Sequence, residues 1–294
     1  MDGTATASNV GETTNRKRGN DLVRRFFRHP TGVLGLAIVV LLVLVSLLAP
    51  VLKPYDARRD RDLRARLSPP SAERWFGADE LGRDNFTRVL HGGRISLRAG
   101  LIAVAFAVLI GTLLGLIAGY VGGWLDTVIV WVVDILLAFP GILLAIAIVA
   151  TLGPNLTNAL IAIAITQVPI YTRIVRSLVM QLRQSEYVQA VRALGSGSIR
   201  VVLKHVLPNS LAPLIVQLTL SIGTAILDVA ALGFLGLGAQ PPAPEWGLMI
   251  RDGFSQFLRA PWMSIFPGIA IFLSVVGFNL LGDAIRDILD PRLR

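Results

Sequence analysis

The stretch GVLGLAIVVLLVLVSLLAPV, residues 32–51, carries no charged side chain. About 20 apolar residues is the length at which an α-helix crosses the hydrocarbon core of a bilayer. Inside that core only helices and closed barrels satisfy their backbone polar groups. The run is roughly twice the length of a barrel strand, so it predicts a helix. It fixes the fold class as an all-α integral membrane protein.

Working outward, four more stretches have the same character: residues 100–120, 128–152, 211–235 and 262–281. A shorter one, 156–171, is interrupted by Gln167 and Pro169 and is counted as a further span. About six transmembrane helices follow, with both termini on one side. Composition agrees, since 53% of the 294 residues are hydrophobic and only 16% charged, a balance more apolar than soluble domains show.

Lys and Arg set the orientation. Arg16, Lys17, Arg18, Arg24, Arg25 and Arg28 precede the first span, and Arg173, Arg176, Arg183, Arg192, Arg200 and Lys204 lie in the segment 173–208. Both regions are therefore expected in the cytoplasm. The segment 52–98 opposes this, because it is equally rich in arginine yet falls outside in a six-span topology. The helix count decides for the first assignment.

The chain accordingly divides into a cytoplasmic tail and interfacial segment (1–31), a first transmembrane helix (32–51), an external loop (52–99), a transmembrane core with a cytoplasmic loop at 173–208 (100–281), and a cytoplasmic C-terminal tail (282–294). The first eighteen residues are polar and expected to be unstructured. Phe26 and Phe27, among arginines, suit the headgroup boundary of anionic lipid. The run at 32–51 is longer than a signal-peptide core and lacks a small-x-small cleavage site, so it is expected to remain in the mature protein.

Several chemistries are disfavoured. With no cysteine, disulfides and thiolate metal sites are excluded. His29, His91 and His205 are scattered, without the helical His pair of a metalloprotease. No GxSxG elbow, Walker-type phosphate loop or GxGxxG fingerprint occurs. The chain is thus read as neither an enzyme nor a cofactor-binding protein. The net charge of +9 follows from membrane topology and gives no reason to invoke nucleic acid.

Within the membrane, Gly111, Gly115 and Gly119 recur every four residues and predict close approach of a neighbouring helix. Asp228 lies among Ile226, Leu227, Val229 and Ala230, where a carboxylate is expensive, and it reads equally as part of a transport path or as a structural hydrogen-bonding group. Asp134, nearer the cytoplasmic end of its span, is read as structural.

The segment 173–208, RIVRSLVMQLRQSEYVQAVRALGSGSIRVVLKHVLP, is too organised for a simple connection. Ser185 is placed to cap a helix starting at Glu186, whose charge suits the N-terminal dipole. Tyr187, Ala190, Val191 and Leu194 share a face at helical spacing. Gly195 supplies a left-handed stop. A second short helix is expected from Ser198, ending before Pro208. Two short helices around a sharp turn make a rigid body suited to a partner's groove.

This segment resembles the cytoplasmic loop of ABC importer membrane subunits, whose pattern is Glu-Ala-Ala, three residues, Gly, nine residues, Ile-x-Leu-Pro. Gln189, Ala190 and Val191 fall on the first three places, Gly195 on the glycine, His205 on the isoleucine, and Leu207 and Pro208 on the end. The stretches WFGADELGRDNFTRVLHGGRISLRAG (75–100), FLGLGAQPPAPEWG (234–247), FPGIAIFL (266–273) and NLLGDAIRDILDPR (279–292) resemble, in order, signatures of the dipeptide, oligopeptide and nickel permeases of C-subunit type. Asp228, Gly233 and Trp131 depart from that pattern, which more often has Glu, Ser and Arg.

The resemblance implies a type I ABC importer permease fold in the bacterial cytoplasmic membrane. It implies a second homologous permease subunit, two ATP-binding subunits that use ATP and Mg, and an extracytoplasmic substrate-binding protein. Glu186, Gln189, Ala190, Val191, Arg192, Gly195, Leu207 and Pro208 would then form the loop coupled to the ATPases, and Trp246 is a candidate docking residue for the binding protein. Di- or oligopeptides are the expected cargo, with nickel or glutathione as alternatives. A channel or a membrane-embedded enzyme is the competing class, and either leaves the shaped loop unexplained.

Overall fold

The computed structural model describes residues 24–56 and 58–289. Most of the tail at 1–31 and the end of 282–294 lie outside the described residues, as do the expectations that fall on them. The principal helices are α1 (Pro30–Leu52), α2 (Asn85–Val121), α3 (Gly123–Leu137), α4 (Gly141–Leu152), α5 (Leu156–Arg183), α6 (Glu186–Ala193), α7 (Ser198–Val201), α8 (Leu207–Phe234), α9 (Trp246–Phe254) and α10 (Trp262–Leu289). Among the described residues, five helices are long and apolar enough to cross a membrane, and α3 with α4 makes a sixth crossing if the two halves form one span.

The start of α1 and the end of α10 meet at one end of the bundle, where His29 Nε2 lies 3.3 Å from Asp287 Oδ2. An even number of crossings satisfies that contact.

Four boundaries differ from the sequence expectation. The run at 128–152 is two helices inclined at 94°, not one straight span. Pro140 is the cause: the residue before a proline is pushed out of the helical region, and Pro140 itself caps α4 with an extended backbone. The span at 156–171 continues to Arg183, absorbing the first part of the segment taken as a loop. Pro169 does not stop it, because spanning helices tolerate proline where neighbours cover the freed groups.

The external segment becomes helical at Asn85 rather than after residue 99. Asp84 caps this helix, its carboxylate accepting the Thr87 N–H at 3.2 Å. The C-terminal tail is helical through Leu289.

Close packing organises the centre. A Cβ on Gly115 would sit 2.7 Å from Val175 Cβ, and one on Gly119 2.8 Å from Val179 Cβ, so α2 and α5 touch along the glycine face the sequence predicts. At one edge of this interface Arg176 makes a two-pronged pair with Asp126 at 2.5 and 2.7 Å, and Arg173 reaches Asp134 at 2.6 Å. These arginines, which the sequence places in a loop, fasten α3 to α5.

The segment between α1 and α2 is a folded cap. Asp79 accepts from both Arg83 and Arg88 at 2.6 Å, all three buried, and Arg74 pairs with Asp62 at 2.9 Å. Phe76 stacks on Phe266 with centroids 3.8 Å apart, and Trp262 Nε1 donates to the Ala78 carbonyl, tying the cap to α10. Several arginines that conflicted with the positive-inside reading are thus neutralised inside the fold.

Candidate functional site

At the end of the bundle where α2 closes, α5 gives way to a corner of short elements. Gln184 and Ser185 turn the chain, and α6 begins at Glu186. Ser185 does not cap it: its hydroxyl donates back to the Leu182 carbonyl at 2.6 Å, closing the preceding helix instead. The Gln189 amide similarly donates to the Gln184 carbonyl at 3.1 Å, folding α6 against the end of α5.

Gly195 has φ +84° and stops α6. Ser196 N–H then returns to the Val191 carbonyl, and Gly195 N–H to that of Arg192.

The face shared by Tyr187, Ala190, Val191 and Leu194 is mostly exposed. Val188 is the residue of α6 that is fully buried, while Tyr187 is 42% and Leu194 87% exposed. Tyr187 is held by its hydroxyl, which donates to the His205 carbonyl at 3.0 Å, and Asn209 donates to both groups. Gln189, Ala190 and Arg192 are exposed and Val191 half-buried.

Beyond Gly197 the chain forms α7, passes through a π turn at Val202–Val206 and runs directly into α8. The second short helix therefore does not end before Pro208. Pro208 follows directly on the π turn, where Leu207 N–H reaches back to the Val202 carbonyl and Pro208 has no N–H to continue the ladder.

At the other end of the bundle, the loop after α8 is pinned by a buried carboxylate. Glu245 accepts from Ser96 Oγ at 3.0 Å and from the N–H groups of Gly247 and Leu248 at 2.9 Å, capping α9. Burial pushes its carboxyl above the ordinary range, and these three donors pull the other way.

Trp246 beside it is 1% exposed, with its indole N–H on the Val89 carbonyl at 2.9 Å. A residue enclosed in this way cannot be a surface contact, so Trp246 is an anchor joining α9 to α2 rather than a docking residue. Ser96 and Glu245, 149 residues apart, were not legible as a pair from sequence.

Asp228 lines a cavity of about 290 Å³ near the bend between α3 and α4. Thr166 and Gln167 of α5 and Gln217, Ser221 and Thr224 of α8 line it too. The sequence singled out Asp228 and missed its companions, although positions 217, 221, 224 and 228 share one helical face.

A bundle of long apolar helices with a broken crossing, an exposed short helix at one end and a polar cavity is the membrane-spanning part of a transporter. The fold matches that of a chain in an inward-facing crystal structure of the MetNI methionine ABC transporter, with TM-score 0.56 and 18% identity over 69% of this chain and 96% of that one.

The family described as binding-protein-dependent transport system inner membrane component matches residues 111–294, and the N-terminal transmembrane domain of oligopeptide transport permease C matches residues 18–70. The dipeptide transport system permease protein DppC of Alkalihalophilus pseudofirmus is 53% identical over 91% of this chain and 88% of its own length. The glutathione transport system permease protein GsiD of Shigella flexneri is 47% identical over 92% and 89%. The chain belongs to the family of binding-protein-dependent transport inner membrane components; it is an ABC importer permease of C-subunit type.

Proposed function

We propose that this permease carries di- or oligopeptides across the bacterial cytoplasmic membrane, paired with a second permease subunit and driven by two ATPase subunits seated on the segment 186–208. The single observation that carries the coupling role is α6: a short helix turned at Gly195 that leaves Leu194 87% exposed and Tyr187 42% exposed, the latter braced through its hydroxyl. An exposed apolar face on a braced helix is a docking surface for a partner's groove. Glu186, Gln189, Ala190, Val191 and Arg192 belong to it or to its rim.

In this reading α6 and both chain ends face the cytoplasm, and the cap between α1 and α2, with the loop leading to α9, faces the binding protein. The arginines at 24, 25 and 28 beside exposed Phe27 support an inner-leaflet contact with anionic lipid. Similarity to a dipeptide permease supports the cargo class, and the glutathione relative favours a second reading within it, since glutathione is itself a small peptide.

The test is co-purification of the tagged chain from its native membrane, followed by uptake in vesicles loaded with ATP. Recovery of an ATPase, a second permease and ATP-dependent dipeptide uptake is expected. A chain recovered alone, or uptake indifferent to ATP, would overturn the proposal. Competition by glutathione separates the two cargo readings.

A further inference from the structure

We propose that Asp228 receives the free ammonium group of a peptide substrate as it passes this subunit, an inference that rests on the peptide-permease reading above. The cavity beside it has an unusual hydrogen-bonding balance. Thr166 Oγ1 donates to the Ile163 carbonyl and Thr224 Oγ1 to the Ser221 carbonyl, each at 2.9 Å. Their protons are spent on their own helices, and the hydroxyl oxygens keep lone pairs free. Ser221 Oγ already takes the Gln217 amide at 3.1 Å.

Gln167 is 6% exposed, and its carbonyl oxygen is buried without a partner. Asp228 has no hydrogen bond or ion pair to any described residue, and no Lys, Arg or His lines the cavity.

Such a site offers several acceptors and one negative charge, and the donors it keeps, the Gln167 amide and the Ser221 hydroxyl, are neutral. An intramembrane carboxylate left in that state marks a cation pathway or partner. The complement is a compact, singly charged group with several N–H donors, which describes –NH₃⁺. A divalent metal fits less well, because hard cations gather several carboxylates and softer ones imidazole, and Asp228 is the cavity's sole ionisable side chain. A peptide with a free amino terminus, glutathione included, meets the requirement.

The experiment uses the assembled transporter with its own binding protein in ATP-loaded proteoliposomes. Uptake of a free dipeptide is compared with that of its N-acetylated form for wild type, Asp228→Asn and Asp228→Glu. The binding protein's own preference is common to all three, so the change in the ratio isolates residue 228. Charge-assisted hydrogen bonds set the scale: Asp228→Asn is expected to lower the preference for the free amine by roughly tenfold, and Asp228→Glu to retain most of it. An unchanged ratio in Asp228→Asn, or an equal loss for both substrates, would overturn the assignment. Absence of any peptide uptake by wild type would instead remove the permease reading on which it rests.

Discussion

Replacing Gly195 by valine isolates the conformation on which α6 depends. Gly195 has φ +84°, and nothing lies within 4 Å of where its Cβ would be. A new side chain there meets no neighbour, so the entire cost is backbone. The left-handed region costs an ordinary residue about 1–2 kcal/mol, and a β-branched residue is a worse fit still.

At about 2 kcal/mol the seated geometry of the corner is disfavoured roughly 30-fold, and affinity for a partner that needs that geometry falls by the same factor. Gly197 supplies the control: it also has open space around its Cβ, but its φ lies outside the left-handed region. Gly197→Val is expected to bind as wild type, and Gly195→Asn, whose side chain tolerates the left-handed region, to lose little. The assay is titration of the purified ATPase onto the reconstituted permease pair, with thermal stability of the pair measured alongside. Wild-type affinity in Gly195→Val, or an equal loss in Gly197→Val, would refute the reasoning.

Other predictions follow from the packed regions. Gly115→Ala puts a Cβ 2.7 Å from Val175 Cβ, closer than carbon atoms tolerate, so α2 and α5 must part; a destabilisation of about 1–3 kcal/mol is expected in thermal unfolding in detergent, with Gly268→Ala, which meets nothing, unchanged. Trp246→Phe keeps most of the buried ring but removes the indole donor to the Val89 carbonyl, and should cost about 1 kcal/mol in the same assay, whereas Trp246→Ala should cost about 3–5 kcal/mol.

Glu245 gives a pH signature. Its folded pKa is raised above the ordinary 4.5, so the folded state holds a proton that the unfolded chain has released, and the group favours folding at low pH. That contribution is lost as pH rises from 4.5 through the folded value. Glu245→Gln should flatten the dependence of melting temperature on pH in that window, and an unaltered slope would count against the assignment.

Hydrophobic length was enough to find the membrane helices, because a bilayer imposes one requirement on all of them. It was a poor guide to where they end. Arg173 and Arg176 read as loop residues, yet they pair with Asp134 and Asp126 some 40 to 50 positions earlier, and charge neutralised across helices does not terminate a helix. The tripeptide Phe-Pro-Gly occurs twice with opposite outcomes: at Phe139 it bends the chain by 94°, and at Phe266 it lies inside α10.

In the second copy Phe266 stacks on Phe76, a contact invisible to local sequence. Asp228 stood out because a carboxylate among aliphatics is conspicuous. Gln167 and Gln217 are ordinary one at a time, and become informative when the fold brings them to one cavity.

The two ends of the molecule are joined by helices that make mechanical coupling expected rather than incidental. Gln167 sits on α5, which runs 28 residues, about 42 Å at 1.5 Å per residue, and ends at the turn into α6. Asp228 sits on the helical run Val202–Phe234, which begins at the π turn just past the same corner. Apart from Gly141 at the start of α4, the cavity is lined by those two helices, whose other ends carry the exposed segment.

The glycine contacts of Gly111, Gly115 and Gly119 clamp α5 to α2, Gly100 and Gly282 hold α8 as closely to α2 and α10, and the π turn at the base of α8 is the irregular point between the corner and the cavity. A ligand shifts such an equilibrium only through a difference in its interaction with the two states. For the ammonium group proposed at Asp228, that difference lies in its distance to the α5 wall of the cavity, lined by Thr166 and Gln167.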